Sequence, residues 1–301
     1  MKALQYSAFG GLEVLELVNI AEPAVKSDDV RIKVAAVGLN PMDWLLMENE
    51  QLAPMFGIQL PQIFAYDFAG TIDQIGENVT NFKVGDRVFG TTYNGAAAEF
   101  ITVPATDKLF HTPDELSDEI ASTLPVAGGT AQAALHAANI TANDTVLIGG
   151  AAGGVGVFAV QLANLMGAKV IGTASDSTAD FLSNFGAEQV RYGDGLTERL
   201  ADKNITAAID LFSHEAVHAA LELGVPAEKI STIIGFPEPP AGVTAATGGS
   251  ATLADMQELL DFIVAGKLQV PIAQIFPLDD YKTAVELQKS RKVHGKLVIT
   301  M

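Results

Sequence analysis

The feature that most constrains this chain is a cluster of glycines set between a strand and a helix. Thr145-Val146-Leu147-Ile148 is apolar and β-prone, Gly149-Gly150-Ala151-Ala152-Gly153-Gly154-Val155-Gly156 follows, and Val155–Met166 then reads as a buried helix. Glycines let such a turn be tight and let its backbone approach an anion, whose charge is stabilised at the helix N-terminus. A second strand at Lys169–Thr173 completes the context that a lone glycine motif lacks. The turn therefore implies a parallel sheet that binds a dinucleotide, with Gly150, Gly153, Gly154 and Val155 as candidate contacts. A turn used only for close packing and a methyltransferase-type nucleotide site are the alternatives.

Cofactor choice is read at the end of the second strand, where Asp or Glu commonly binds the ribose 2′-OH of NAD. Here the strand ends Gly172-Thr173-Ala174-Ser175, with hydroxyls in place of a carboxylate. That leaves room for a 2′-phosphate and favours NADPH over NADH. Asp176 follows immediately, and no Lys or Arg appears until Arg191, so NADH stays open as the alternative.

Around this turn the chain divides into two patterns. Up to about residue 110 it reads as strands: Val30-Arg31-Ile32-Lys33-Val34 alternates as a half-buried strand does, and turn signals recur at Gly10-Gly11, Gly76-Glu77-Asn78, Gly85-Asp86 and Asn94-Gly95. A mostly antiparallel barrel or sandwich is expected. Beyond Pro113 strands alternate with helices, with further strands at Ala207–Leu211 and Ile230–Ile234, a helix at Thr178–Phe185, a Pro- and Gly-rich loop over Phe236–Ser250, a helix at Leu253–Ala265 and a last strand at Gly295–Ile299. Alternation of that kind means βαβ units and a doubly wound parallel sheet.

Composition removes whole classes of function. The sequence has no cysteine, which excludes disulfides, thiolate nucleophiles and every Cys-based zinc site. A formal net charge of -18 disfavours nucleic acid and anionic membrane surfaces as partners. Thr145–Ala168 carries no charged residue and imitates a membrane span, but its glycines, Gln161 and Asn164 fit a strand, turn and buried helix better. The N-terminal residues Met1–Tyr6 lack the apolar run of a secretory signal, so a cytoplasmic location is expected.

Six segments, in order, carry a family resemblance: Gly38-Leu39-Asn40-Pro41-Met42-Asp43, Tyr66-Asp67-Phe68-Ala69-Gly70, Val84-Gly85-Asp86-Arg87-Val88, Gly95-Ala96-Ala97-Ala98-Glu99-Phe100, Leu124-Pro125-Val126-Ala127-Gly128-Gly129-Thr130-Ala131 and the glycine turn itself. With these the whole chain resembles the medium-chain dehydrogenase/reductase superfamily, in its zinc-free, zeta-crystallin-like quinone oxidoreductase branch. The resemblance implies a GroES-like β-barrel catalytic domain, over residues 1–112 and 258–301, and a Rossmann NADP-binding domain over 113–257. It also implies a homodimer. In zinc-dependent members Cys, His and Cys hold the catalytic metal, and the matching positions here are Asn40, Tyr66 and Val126, so no metal is expected. The histidines, including His214 and His218 four residues apart, do not restore a site by spacing.

The implied activity is NADPH-dependent hydride transfer to a quinone or an α,β-unsaturated carbonyl, acceptors whose conjugation spreads developing charge without a Lewis acid. Asn40 is the implied hydrogen-bond donor to the acceptor oxygen, and Tyr66 the proton donor or orienting group. Thr130 is expected beside the nicotinamide, Thr173 and Ser175 at the adenosine ribose, and Tyr192 near the 2′-phosphate with Arg191 as a substitute charge. Phe212, Ile234, Gly235 and Phe236 are expected along the nicotinamide half, and His294 or Lys296 at a phosphate. Leu45 and Gln51 depart from the tyrosines that some members carry. An alkenal double-bond reductase and a low-turnover NADPH-binding sensor or structural protein are the rival readings.

Overall fold

The computed structural model describes residues 1–105 and 108–301. Contacts divide the chain into two units, Met1–Val126 with Ile272–Met301, and Ala127–Pro271. Both boundaries fall later than the expected 112/113 and 257/258. Pro113 marks where helix-forming composition begins, yet the short helix Asp118–Ala121 still packs on strands Asp29–Leu39 and Asp67–Ile75 of the first unit. Helix Leu253–Val264 belongs wholly to the second unit, where the Gln132 amide donates to Asp255 O at 2.7 Å.

The first unit is built on two sheets. The larger runs Ile272–Pro277, Lys296–Thr300, Asp29–Leu39, Asp67–Ile75, Arg87–Thr91, Leu109–His111, and Phe100–Pro104 also pairs with Asp29–Leu39. All pairs are antiparallel except Ile272–Pro277 with Lys296–Thr300. The smaller sheet orders Leu15–Asn19, Lys2–Tyr6 and Gln62–Ile63. Val30, Ile32 and Val34 point into the core, while Arg31 faces outward and clasps the Asp73 carboxylate at 2.7 Å. Leu4, Tyr6, Phe64, Tyr66 and Phe68 are among the large side chains that fill this core.

Register decides what the first unit brings together. Gly38 pairs with Asp67, and Leu39 pairs with Leu297. Residues 40, 67 and 296, far apart in sequence, therefore meet at one end of three adjacent strands.

The second unit is a six-stranded sheet with order Ala187–Arg191, Lys169–Ala174, Thr145–Gly149, Ala207–Asp210, Ile230–Thr232, Thr244–Ala245, every pair parallel. In chain order this is 3-2-1-4-5-6, the doubly wound arrangement in which ligands sit beyond the carboxyl ends of the strands. The uncharged stretch over 145–168 is the first strand, the turn and helix Gly156–Leu165. Among the described residues no helix is long and apolar enough to cross a membrane. The loop expected over Phe236–Ser250 holds the two-residue edge strand Thr244–Ala245.

Candidate active site

In the second unit, strand Thr145–Gly149 ends in Gly150 with φ +73°, a left-handed conformation that glycine adopts without steric cost. Helix Gly156–Leu165 starts so close to this turn that a Cβ on Gly156 would stand 2.3 Å from Gly150 O. The sequence has glycine there because the helix N-terminus and the turn share one space. No side chain caps that helix, and its first turn holds no acidic residue. The Val157 and Phe158 N–H groups bond to Gly153 O and Val155 O at 3.1 and 3.2 Å, but no side chain meets the N-terminal dipole, which an external anion such as a pyrophosphate would complement. Gly153 folds back on Gly150 O at 3.1 Å, and Val155 occupies the N-cap position.

Thr173 and Ser175 divide two tasks at the end of the next strand. The Thr173 hydroxyl is buried and accepts the Gly150 N–H at 3.2 Å, while Thr173 O accepts the Ala151 N–H at 3.2 Å. Thr173 therefore braces the glycine turn, a task that strand spacing alone did not reveal. Ser175 lines a cavity of about 700 Å³ together with Asp176, Arg191 and Tyr192. Parallel register sets Arg191 opposite Ala174, so the neighbouring strand brings a cation to the place where the second strand's own sequence has none. Arg191 faces Asp176 at 3.7 Å, both side chains being largely exposed. Arg199 was not anticipated: its guanidinium donates to the carbonyls of Arg191, Gly193 and Asp194 and holds the far wall of the cavity.

Further along the same edge, strand ends Gly149, Asp210 and Thr232 lie in register. Asp210 is buried and accepts N–H bonds from Phe212, Ser213 and Ala216, which caps helix Glu215–Glu222. The loops that carry Phe212 and Ile234–Phe236 leave from this edge, with Phe212 and Phe236 exposed. His214 is spent on Ile234 O at 3.0 Å and meets His218 edge-on. Thr130 is buried within helix Leu124–Ala137.

The first unit holds a polar cluster inside its core. Asn40 caps helix Pro41–Glu48 and is almost fully buried. Its Nδ2 donates to Asp67 Oδ2 at 2.9 Å, and its Oδ1 accepts from the Lys296 ammonium at 2.5 Å. Lys296 also donates to Leu39 O at 2.9 Å. Asp67 Oδ2 accepts the Val126 N–H at 3.2 Å, and Asp43 Oδ2 accepts the Asn40 N–H at 2.6 Å. Lys296 is thus neither a surface lysine nor a group turned outward to a phosphate. The last strand carries it under Asn40, and its ammonium is used there. His294 sits exposed on the turn before that strand.

Burial dominates the ionisation of this cluster. It pushes Asp67 up to about 6 against the opposing pull of Lys296 and the Asn40 bond. It raises Asp43 well above the carboxylate range, with Asp67 adding repulsion, and it lowers Lys296. Tyr66, next to Asp67 in sequence, is buried, and its pKa is pushed up by burial with Tyr6 and Asp43 nearby, so its phenol keeps its proton. Among the described residues Asp43 Oδ1 has no hydrogen-bond partner, while the Tyr66 and Tyr6 hydroxyls, and Thr91 and Asp67, lie close enough to influence each other's ionisation. The Tyr66 ring lies 5.5 Å from Tyr93, whose ring lies 5.6 Å from Phe56. The sequence had shown Asn40 and Tyr66 but not Asp43, Asp67 or Lys296 as one group. The available signal was an acid opening the apolar run Phe68-Ala69-Gly70 and a base opening Leu297-Val298-Ile299.

No group of three or more His, Cys, Asp or Glu side chains among the described residues is arranged to hold a metal ion. Residues 26–114 match the family described as Alcohol dehydrogenase GroES-like domain, and residues 238–299 the family described as Zinc-binding dehydrogenase. The chain is 31% identical to a quinone oxidoreductase of Sus scrofa, over 100% of this chain and 98% of that protein. Among solved structures it superposes on CurK enoyl reductase with a TM-score of 0.87 at 26% identity, covering 100% of this chain and 99% of that one. A mycobacterial protein solved in complex with NADPH gives a TM-score of 0.84 at 26% identity, with both chains covered in full (100% each).

Proposed function

Because the chain belongs to the quinone oxidoreductase branch of the medium-chain dehydrogenase/reductase superfamily, we propose that it reduces a quinone or an α,β-unsaturated carbonyl with NADPH and without zinc. The observation that carries this reading is the uncapped N-terminus of helix Gly156–Leu165, braced by Thr173, at the carboxyl edge of the parallel sheet. The residues fit the dinucleotide. Gly150, Gly153, Gly154 and Val155 would hold the pyrophosphate, and Ser175, Arg191 and Tyr192 the 2′-phosphate. Thr130, Phe212, Ile234, Gly235 and Phe236 would bound the nicotinamide half. When bound, NADPH supplies the hydride.

The chain's own residues supply the rest. Asn40 donates one amide N–H to Asp67, and its other is held only by a long 3.4 Å contact with Gly38 O. That second N–H is the donor for the oxygen on which charge develops, the electrostatic task that zinc performs in metal-dependent relatives. Tyr66, whose phenol keeps its proton beside Tyr6 and Asp43, is the orienting hydrogen-bond donor, and water supplies the proton for the reduced acceptor. The similarity to an enoyl reductase keeps enones beside quinones as acceptors.

Stopped-flow oxidation of bound NADPH against a panel of quinones and a panel of enones tests this reading. Turnover with at least one panel, with NADH bound more weakly than NADPH in a parallel titration, is the expected result. Tight NADPH binding without oxidation by either panel would replace it with a nucleotide-binding sensor.

A further inference from the structure

The environment of Asn40 goes further than its role as a donor. A side-chain amide can be swapped end for end at little cost when its neighbours are water or hydroxyls, which both donate and accept. Here neither neighbour does both. An ammonium only donates and sits on Oδ1 at 2.5 Å, while an aspartate oxygen accepts and sits on Nδ2 at 2.9 Å. Lys296 is itself fixed by Leu39 O at 2.9 Å, and Asp67 by the Val126 N–H at 3.2 Å. Asn40, Asp67, Lys296 and Leu39 are all buried in the first unit.

We propose that Lys296 and Asp67 are positioning residues that clamp the Asn40 amide from its two ends and so fix and strengthen its remaining N–H toward the acceptor oxygen. The proposal rests on the reading of Asn40 given above and adds two residues that act through it. The physical cause is polarisation along a hydrogen-bonded chain. A cation on the amide oxygen draws electron density from nitrogen, which makes each N–H a better donor, and an anion on one N–H holds the plane of the group. The low polarity of the surroundings strengthens both effects. Lys296 as a phosphate ligand would require its ammonium to leave this clamp.

A double-mutant cycle between Lys296→Met and Asn40→Ala tests the clamp, with NADPH affinity measured separately. In the wild-type background Lys296→Met, which weakens the donor without removing it, is expected to lower kcat by about 10- to 100-fold, below the roughly 100- to 1000-fold cost of losing a preorganised donor outright, with NADPH affinity kept. In the Asn40→Ala background the same change should cost less than about threefold, since coupled residues are non-additive. Lys296→Arg, which keeps the charge, should recover most of the loss. Equal losses in both backgrounds, or weakened NADPH binding with kcat kept, would overturn the proposal.

A second readout needs neither a variant at Lys296 nor turnover. The Asn40 side-chain amide, assigned in nitrogen-15 spectra by its absence in Asn40→Ala, should give two widely separated proton signals that exchange slowly with solvent. A narrow, rapidly exchanging pair overturns the clamp even if Lys296→Met does not fold. A wild-type protein that oxidises no NADPH counts against the enzymatic reading instead, and leaves the amide signals to decide on the clamp.

Discussion

Two aspartates show how far the same side chain is driven by its surroundings. Burial pushes Asp144 up, but bonds from Lys229, Thr206 and Thr141 outweigh it and hold the carboxyl at about 2. Asp67 has one cation and a larger burial penalty, and it stands at about 6. The consequences for stability have opposite signs. Asp144 contributes stability above its unfolded value of 3.8 that is lost as the pH falls through 2. Asp67 contributes stability that is fully present below 3.8 and is lost as the pH rises through 6. A shift of that size corresponds to about 3 kcal/mol. Urea midpoints between pH 4 and 7 should therefore show a falling component in the wild type that Asp67→Asn removes. An unchanged pH slope in Asp67→Asn would show that Asp67 is ionised throughout. These roles were only partly legible in the sequence. Asn40 and Tyr66 stood out through the resemblance, whereas Lys296 reads locally as one more lysine after His294-Gly295. What buries it is the pairing of Leu297 with Leu39, a long-range fact with no local pattern.

At the scale of elements, the glycine turn was legible because its logic is local: strand, left-handed glycine and helix follow one another in the chain. Its tolerance is equally local. Gly156→Ala places a methyl 2.3 Å from Gly150 O, so the turn must open or the helix must start later. Destabilisation of about 1–3 kcal/mol, the range for overpacking, and loss of NADPH binding are expected together. Thermal melts and a cofactor titration on one preparation check this, and retained affinity would show that the turn does not hold the pyrophosphate. Helix Leu124–Ala137 was not legible as a helix, because Gly128-Gly129 in its interior lowers helix propensity. Tertiary packing explains the pair: a Cβ on Gly128 would stand 2.3 Å from Leu259 Cδ2 of helix Leu253–Val264. The edge strand Thr244–Ala245 was hidden for a different reason, since two residues are too few to show alternation.

On the scale of the whole molecule, the proposed function requires a net charge of -18 to coexist with an anionic cofactor. On that proposal the uncapped helix N-terminus and Arg191 would supply the local compensation, so binding should survive the unfavourable long-range field. Saturation with NADPH should then stabilise the folded protein by about 2.7 kcal/mol at a hundredfold excess over Kd, seen as a higher Tm. NADH at the same concentration should give a smaller shift. No shift with either nucleotide would contradict the site described for the second unit. The two-unit organisation was legible from the change of pattern along the chain. Its boundaries were not, because contacts rather than composition assign Asp118–Ala121 and Leu253–Val264 to their units.

The pairing of strand Lys296–Thr300 with Asp29–Leu39 has a consequence for biosynthesis. A ribosome delivers the chain from residue 1 onward, and domains fold as units when their residues have emerged. The first unit is begun first yet finished last, since its sheet waits for a strand made after the entire second unit, Ala127–Pro271, has been translated. Until then Asp67 has no Lys296 beside it and the Asn40 amide has only one of its two anchors. The second unit can thus be complete on the ribosome while the polar cluster of the first is still waiting for Lys296.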